Sequence, residues 1–169
     1  MSAVPQPQRL LSDAAYARID REIAKYPPEQ KQSAVMSALA IAQDETGWVS
    51  QQVIEEIAAC LGMPPIAVHE VATFYNMYRT QPGGKFHLAV CTCLPCALRD
   101  GEKAAEHLKR KLGIGFGETT ADGLFTLRES ECLGSCGDAP VLLVNNKRMC
   151  SFMDNQKLDE LLAELRNSK

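Results

Sequence analysis

Apolar residues recur at helical spacing through the first half of the chain and as short alternating or continuous runs through much of the second. The two halves therefore predict different architectures. Ser12 precedes a stripe of Ala15, Ile19 and Ile23, with Leu11 just ahead of it, and predicts a capped helix. Pro28 opens a second helix with Val35, Leu39 and Ala42 on one face. Ser50 caps a third, where Val53, Ile54, Ile57, Ala58 and Leu61 share a face, and Pro64-Pro65 begin a fourth. In that fourth segment Val68, Val71, Phe74 and Met77 make more than one side apolar, so it is expected to be buried against the small helical domain or a partner. Core packing is the ordinary reading of Phe74, Tyr75 and Tyr78, and an interface patch is the other.

Pro82-Gly83-Gly84 punctuates the chain, dividing a helical domain, 1–81, from a second domain, 82–169. Past it, Phe86 to Val90 reads as a strand and Asp100 to Leu112 as a helix with Ala104, Ala105, Leu108 and Leu112 inward, ended by Gly113. Leu124 to Arg128 alternates as a strand, Val141 to Val144 forms another, and Asn145-Asn146 turns the chain into Lys147 to Phe152 as a hairpin. Asp154 caps a last helix that buries Leu158, Leu161, Leu162 and Leu165. The fold class is α+β: a helical bundle, then a small α/β layer compatible with a thioredoxin-like order. Pro140 stands where that order places a cis proline.

Composition adds limits. Hydrophobic residues make up 46% and charged residues 23%, both ordinary for a globular protein. No apolar run approaches the ~20 residues of a membrane span, so direct membrane insertion is not expected. The net charge of -3 argues against a nucleic-acid partner, which calls for a clustered basic face.

The chemistry lies in the cysteines. Cys91-Thr-Cys-Leu-Pro-Cys96 and Cys132-Leu-Gly-Ser-Cys136 are two tight groups, each placed where a strand ends. Four thiolates from two loops suit a binuclear iron–sulfur cluster. A disulfide framework fits poorly with seven cysteines and an N-terminus lacking the basic and apolar regions of a secretion signal. Zinc could take Cys93 and Cys96 with Cys132 and Cys136. Thiol–disulfide exchange through Cys93 and Cys96, a C-x-P-C run between strand and helix, would leave Cys132 and Cys136 idle. Cys60 on a helical face and Cys150 in a strand-like run read as small core residues. Spacing does not choose between Cys91 and Cys93 as partner of Cys96.

Thr73-Phe-Tyr-Asn-Met-Tyr78, the C-x4-C of Cys91 and Cys96, and Glu131-Cys-Leu-Gly-Ser-Cys-Gly-Asp-Ala-Pro-Val141 resemble the family of small [2Fe-2S] subunits of NADH:quinone oxidoreductase, respiratory complex I. That family also holds the small iron–sulfur subunits of NAD-linked formate dehydrogenases and NAD-reducing hydrogenases. The resemblance runs from about Pro28 to Leu165. It implies a thioredoxin-like domain whose [2Fe-2S] ligands are Cys91, Cys96, Cys132 and Cys136, with a non-ligand expected where Cys93 stands. It also implies electron transfer from the reduced flavin of a neighbouring subunit that carries FMN and NADH, and a larger iron–sulfur subunit as a further neighbour. The chain would lie at the cytoplasmic, inner face of the membrane through the complex, its helical part docking the flavoprotein.

A cluster with four thiolates is anionic, so its surroundings decide how readily it takes an electron. Gly134 and Gly137 leave room for backbone N–H groups to approach the sulfurs, while Glu129, Glu131 and Asp138 oppose reduction and Arg99 offsets part of their field. Gly113-Ile-Gly-Phe-Gly117 follows a helix rather than a strand and has Glu118 at the last fingerprint position, so it reads as a turn. His69, His87 and His107 are not paired with the cysteine loops, and Trp48 reads as a loop anchor.

Overall fold

The computed structural model describes residues 9–168, which fall into two compact units, one up to Pro82 and one from Gly83. The first unit is helical. Helix α1, Asp13–Ile23, starts where Ser12 Oγ accepts the Ala15 N–H at 3.2 Å. Helix α3, Gln51–Leu61, starts in the same way from Ser50, and Gly62 ends it at φ 63°, a left-handed conformation that glycine adopts without a Cβ clash. Ile19, Leu39, Ile54, Ile57 and Val68 pack in the core of this unit.

One expectation for this unit needs correction, and the fourth helix answers to the other of its two readings. Pro28 opens a 3-10 segment, Pro28–Ala34, which breaks at Gln30 (φ -118°, ψ 22°) before α2 begins, Val35–Thr46. The run Glu29 to Ser33 offers no apolar stripe, so nothing holds it as a regular α-helix until Ala34 reaches the core. Helix α4, Pro65–Phe74, is buried along only one narrow line, Val68 and Ala72. Phe74 is 81% exposed, and Met77 lies beyond the helix end and is also exposed. Of the three aromatic residues, only Tyr78 turns inward, its hydroxyl donating to the Met36 carbonyl at 2.8 Å.

The second unit contains a four-stranded mixed sheet in the order β2-β1-β3-β4. Strand β1 is Phe86–Cys91, β2 Phe125–Ser130, β3 Leu142–Val144 and β4 Arg148–Cys150. Strands β1 and β2 are parallel, with Phe86 opposite Phe125 and Cys91 opposite Ser130. Strand β3 runs antiparallel to β1, with Leu142 opposite Val90, and pairs with β4 through a hairpin. Asn145 and Asn146 at its turn both have positive φ, 51° and 57°, as a tight hairpin requires. The Asn145 side chain ties the turn to β1 by accepting the His87 N–H at 2.8 Å.

Helices α5, Leu94–Ala97, α6, Gly101–Leu112, and α7, Asn155–Asn167, complete the unit. Asp154 caps α7, its carboxylate accepting the Lys157 N–H at 2.9 Å. Leu108, Leu158, Leu161, Leu162 and Leu165 form the core with Leu88, Phe125, Leu127 and Leu142 of the sheet. The Ala139–Pro140 peptide bond is cis. No single helix among the described residues is long and apolar enough to cross a membrane.

Candidate metal centre

Register gathers the cysteine loops. Parallel pairing of β1 and β2 brings their C-terminal ends together at Cys91 and Ser130, and antiparallel β3 begins at the same end. The loop after β1, the loop after β2 and the approach to β3 therefore share one end of the sheet. Cys91 closes β1, its N–H donating to the Val141 carbonyl at 3.2 Å, and Thr92 N–H donates to the Ser130 carbonyl at 3.1 Å. Those bonds hold the first loop to both flanking chains.

The sulfurs follow from that frame. Cys91 and Cys96 are buried, 2% and 1% exposed, in a small cluster with Ala139 and Val141. Leu133, from between Cys132 and Cys136, packs against this cluster, and so does Cys93. Cys132 and Cys136 themselves are exposed. Gly134, at φ 73°, donates its N–H to Cys132 Sγ at 3.4 Å, the kind of approach expected of this glycine. Asp138 fixes the end of the loop: its Oδ2 accepts Ser135 Oγ at 3.2 Å and Ser151 Oγ at 3.0 Å.

The thiols feel one another. Burial, then the bond to Cys91, raises Cys96, with Cys136 adding repulsion. Burial, then Cys132, raises Cys136, which also feels Cys91. Cys93 is raised by burial first, then by Cys91, Cys132 and Glu131. Thiolates that repel across two loops are stabilised together when cations sit between them, so this donor set fits a metal centre. Among the described residues, no three His, Cys, Asp or Glu side chains gather closely enough to hold a single metal ion. The four sulfurs stand as a buried pair and an exposed pair.

Thiol exchange is less well served. A reactive cysteine needs its thiol lowered, and both Cys93 and Cys96 are raised. Cys150 is buried as expected, whereas Cys60 is only half-buried, on the flank of α3 beside Tyr16. His107 bonds Asp159 at 2.8 Å between α6 and α7, and His87 lies within β1, so neither belongs to the loops. Trp48 is half-buried, and its backbone carbonyl accepts the Thr46 hydroxyl at 2.7 Å. Arg99 is exposed and pairs with none of Glu129, Glu131 and Asp138 among the described residues. Thr92, Ser151 and Val141 support the site yet carry no sequence signal, because their partners lie on other segments: Thr92 Oγ1 donates to Glu129 at 2.8 Å, Ser151 Oγ to Asp138 at 3.0 Å, and the Val141 backbone bonds Cys96.

The sequence profile of thioredoxin-like [2Fe-2S] ferredoxins matches residues 19–166. The chain is 44% identical over 151 residues to NADH-quinone oxidoreductase subunit 2 of Thermus thermophilus, covering 89% of this chain and 83% of that one. It is 44% identical over 148 residues to an NADH-quinone oxidoreductase subunit of Rhizobium meliloti, covering 88% and 86%. Among solved structures, an NAD+-reducing [NiFe]-hydrogenase in the air-oxidized state superposes with a TM-score of 0.69 at 21% identity. That match covers 78% of this chain and 22% of the hydrogenase chain, and it speaks for the fold. With its mixed sheet, its paired cysteine loops and a profile match over most of its length, the chain belongs to the thioredoxin-like [2Fe-2S] ferredoxin family.

Proposed function

We propose that Cys91, Cys96, Cys132 and Cys136 hold a [2Fe-2S] cluster and that the chain is the iron–sulfur electron-transfer subunit of an NADH:quinone oxidoreductase. The observation that carries this reading is the meeting of both cysteine loops at one end of the sheet, in a chain so similar to subunits of that enzyme. A cluster bound there supplies one-electron transfer. Cys91 and Cys96 provide the buried pair of ligands and Cys132 and Cys136 the exposed pair. Leu133, Ala139 and Val141 keep water from the buried side. The Gly134 N–H directed at Cys132 favours the electron-rich state, and the carboxylates of the second loop oppose it.

FMN and NADH belong, in this reading, to a partner subunit whose reduced flavin gives up single electrons, with a larger iron–sulfur subunit as a further neighbour. The helical unit, 1–81, docks the flavoprotein, and domain 82–169 carries the cluster. Exposed Ile66, Phe74, Tyr75 and Met77 support such docking, because aromatic residues and methionine are enriched at interfaces. The chain is held at the cytoplasmic, inner face of the membrane through the complex and does not insert. A small subunit of an NAD-linked formate dehydrogenase or hydrogenase would use the same centre; identity to quinone oxidoreductase subunits favours complex I.

The test is iron, acid-labile sulfide and zinc content of anaerobically purified protein, with paramagnetic resonance after dithionite. Two irons and two sulfides per chain with a spin-half signal are expected. Stoichiometric zinc, or colourless protein that reduces disulfides through Cys93, would overturn the reading.

A further inference from the structure

We propose that the Glu131 carboxylate holds the reduction potential of the sulfur-bound centre low, an inference that rests on the cluster reading above. Three acidic side chains flank the second cysteine pair, and two of them are engaged by hydroxyl donors. Glu129 Oε1 accepts Thr92 Oγ1 at 2.8 Å, and Asp138 Oδ2 accepts both Ser135 and Ser151. Glu131 is different because its bonds run to sulfur. Its backbone carbonyl accepts the Cys91 thiol at 3.3 Å, and its Oε2 accepts the Cys93 thiol at 3.8 Å. It is also the residue before Cys132. One residue therefore touches the first loop twice while being covalently part of the second.

Once Cys91 binds iron its thiol proton is gone, so the Glu131 carbonyl lies beside anionic sulfur, while the carboxylate stands one thiol away, bonded to Cys93, which packs against the buried sulfurs. Adding one electron makes and breaks no bond, but it increases the negative charge next to Glu131. The reduced state is the one that suffers, so the carboxylate lowers the potential. Glu131 is exposed, so its effect passes partly through solvent and weakens with salt.

The experiment is a redox titration, followed by paramagnetic resonance, of the full chain carrying its cluster, as the native protein and as Glu131→Gln, Glu131→Asp and Glu129→Gln. Glu131→Gln is expected to raise the reduced-to-oxidised ratio at fixed potential about three- to tenfold, tenfold being 59 mV for a one-electron couple. Glu131→Asp, which keeps the charge, should stay within about twofold of native, Glu129→Gln should move less than Glu131→Gln, and the shift should shrink in about 1 M salt. If Glu131→Gln assembles poorly, Glu131→Ser supplies a second neutral side chain. An unmoved midpoint in the neutral variants, or equal shifts with Asp and Gln, would overturn the proposal. A native chain without two irons and two sulfides sinks the cluster reading itself, whereas a normal cluster with an unmoved midpoint sinks only the role of Glu131.

Discussion

Asp138→Ala should unfasten the second cysteine loop from the end of β4. The wild-type carboxylate gathers Ser135 Oγ at 3.2 Å and Ser151 Oγ at 3.0 Å on one oxygen, while its backbone carbonyl accepts the Phe152 N–H at 2.8 Å. Alanine keeps the backbone bond and removes both side-chain bonds. Hydrogen bonds to a charged group contribute about 1.5–3 kcal/mol each. Here the two share an acceptor on a half-buried residue, so their joint loss is set at about 2–3 kcal/mol. At 1.4 kcal/mol per tenfold, local opening becomes roughly 30- to 150-fold more frequent. Amide exchange at Phe152 and Met153 reads this directly, since their N–H groups bond the Asp138 and Pro140 carbonyls. A double-mutant cycle with Ser151→Ala should give a coupling of about 1 kcal/mol. Exchange within twofold of native at both amides, with coupling under about 0.3 kcal/mol, would refute the latch.

Cys136→Ser should deplete the cluster, seen as lost iron and visible absorbance, while Cys93→Ser, Cys60→Ser and Cys150→Ser should retain it; a normal cluster in Cys136→Ser defeats the ligand assignment. Asp159 is held below the ordinary aspartate range, first by Lys111 and then by His107. A lowered folded value means its stabilisation is present above the unfolded value of about 3.9 and fades as pH falls further, so Asp159→Asn should be destabilising at pH 6 and nearly neutral near pH 2 in denaturant titrations. Phe74→Asp, at a position 81% exposed, should leave thermal unfolding within about 0.5 kcal/mol of native yet weaken co-purification with the proposed flavoprotein partner; unimpaired co-purification would remove α4 from the proposed docking surface.

What the sequence made legible was local. Ser12, Ser50 and Asp154 were readable as caps because a cap and its helix lie within four residues, and Asn145-Asn146 was readable as a turn for the same reason. The segment after Pro28 misled because a helix-starting proline does not guarantee a stripe worth burying in the next turn. Helix α4 stayed open between two readings because apolarity on several sides does not distinguish core from interface: Phe74 has the same hydropathy in either place. At the cysteine loops, the sequence displayed the sulfurs and flanking charges but not which charge is bound. That Thr92 engages Glu129, and that Ser151 reaches Asp138, depends on strand register and on the return of β4, pairings that no short-range pattern encodes.

The same register explains why two unequal pairs of thiols result. Strand β1 is an inner strand of the sheet, and Cys91 at its end and Cys96 within the short helix α5 cluster with Ala139 and Val141 on the way into β3. Strand β2 has β1 as its only neighbour in the named sheet, and Cys132 and Cys136 on the loop after it are exposed. A site using only the first loop would have no need of the second, yet Leu133 packs back onto the buried sulfurs and Asp138 pins the far end of its loop to Ser151. Ordering an exposed loop costs conformational entropy, and these contacts offset it only by keeping that loop over the first pair. The loop is thus held over the first pair, with Glu131, at its start, bonded to Cys91 and Cys93. In the proposed centre, solvent and side-chain charge would then enter mainly from the exposed Cys132 side, and substitutions there should move its potential more than substitutions around the buried pair.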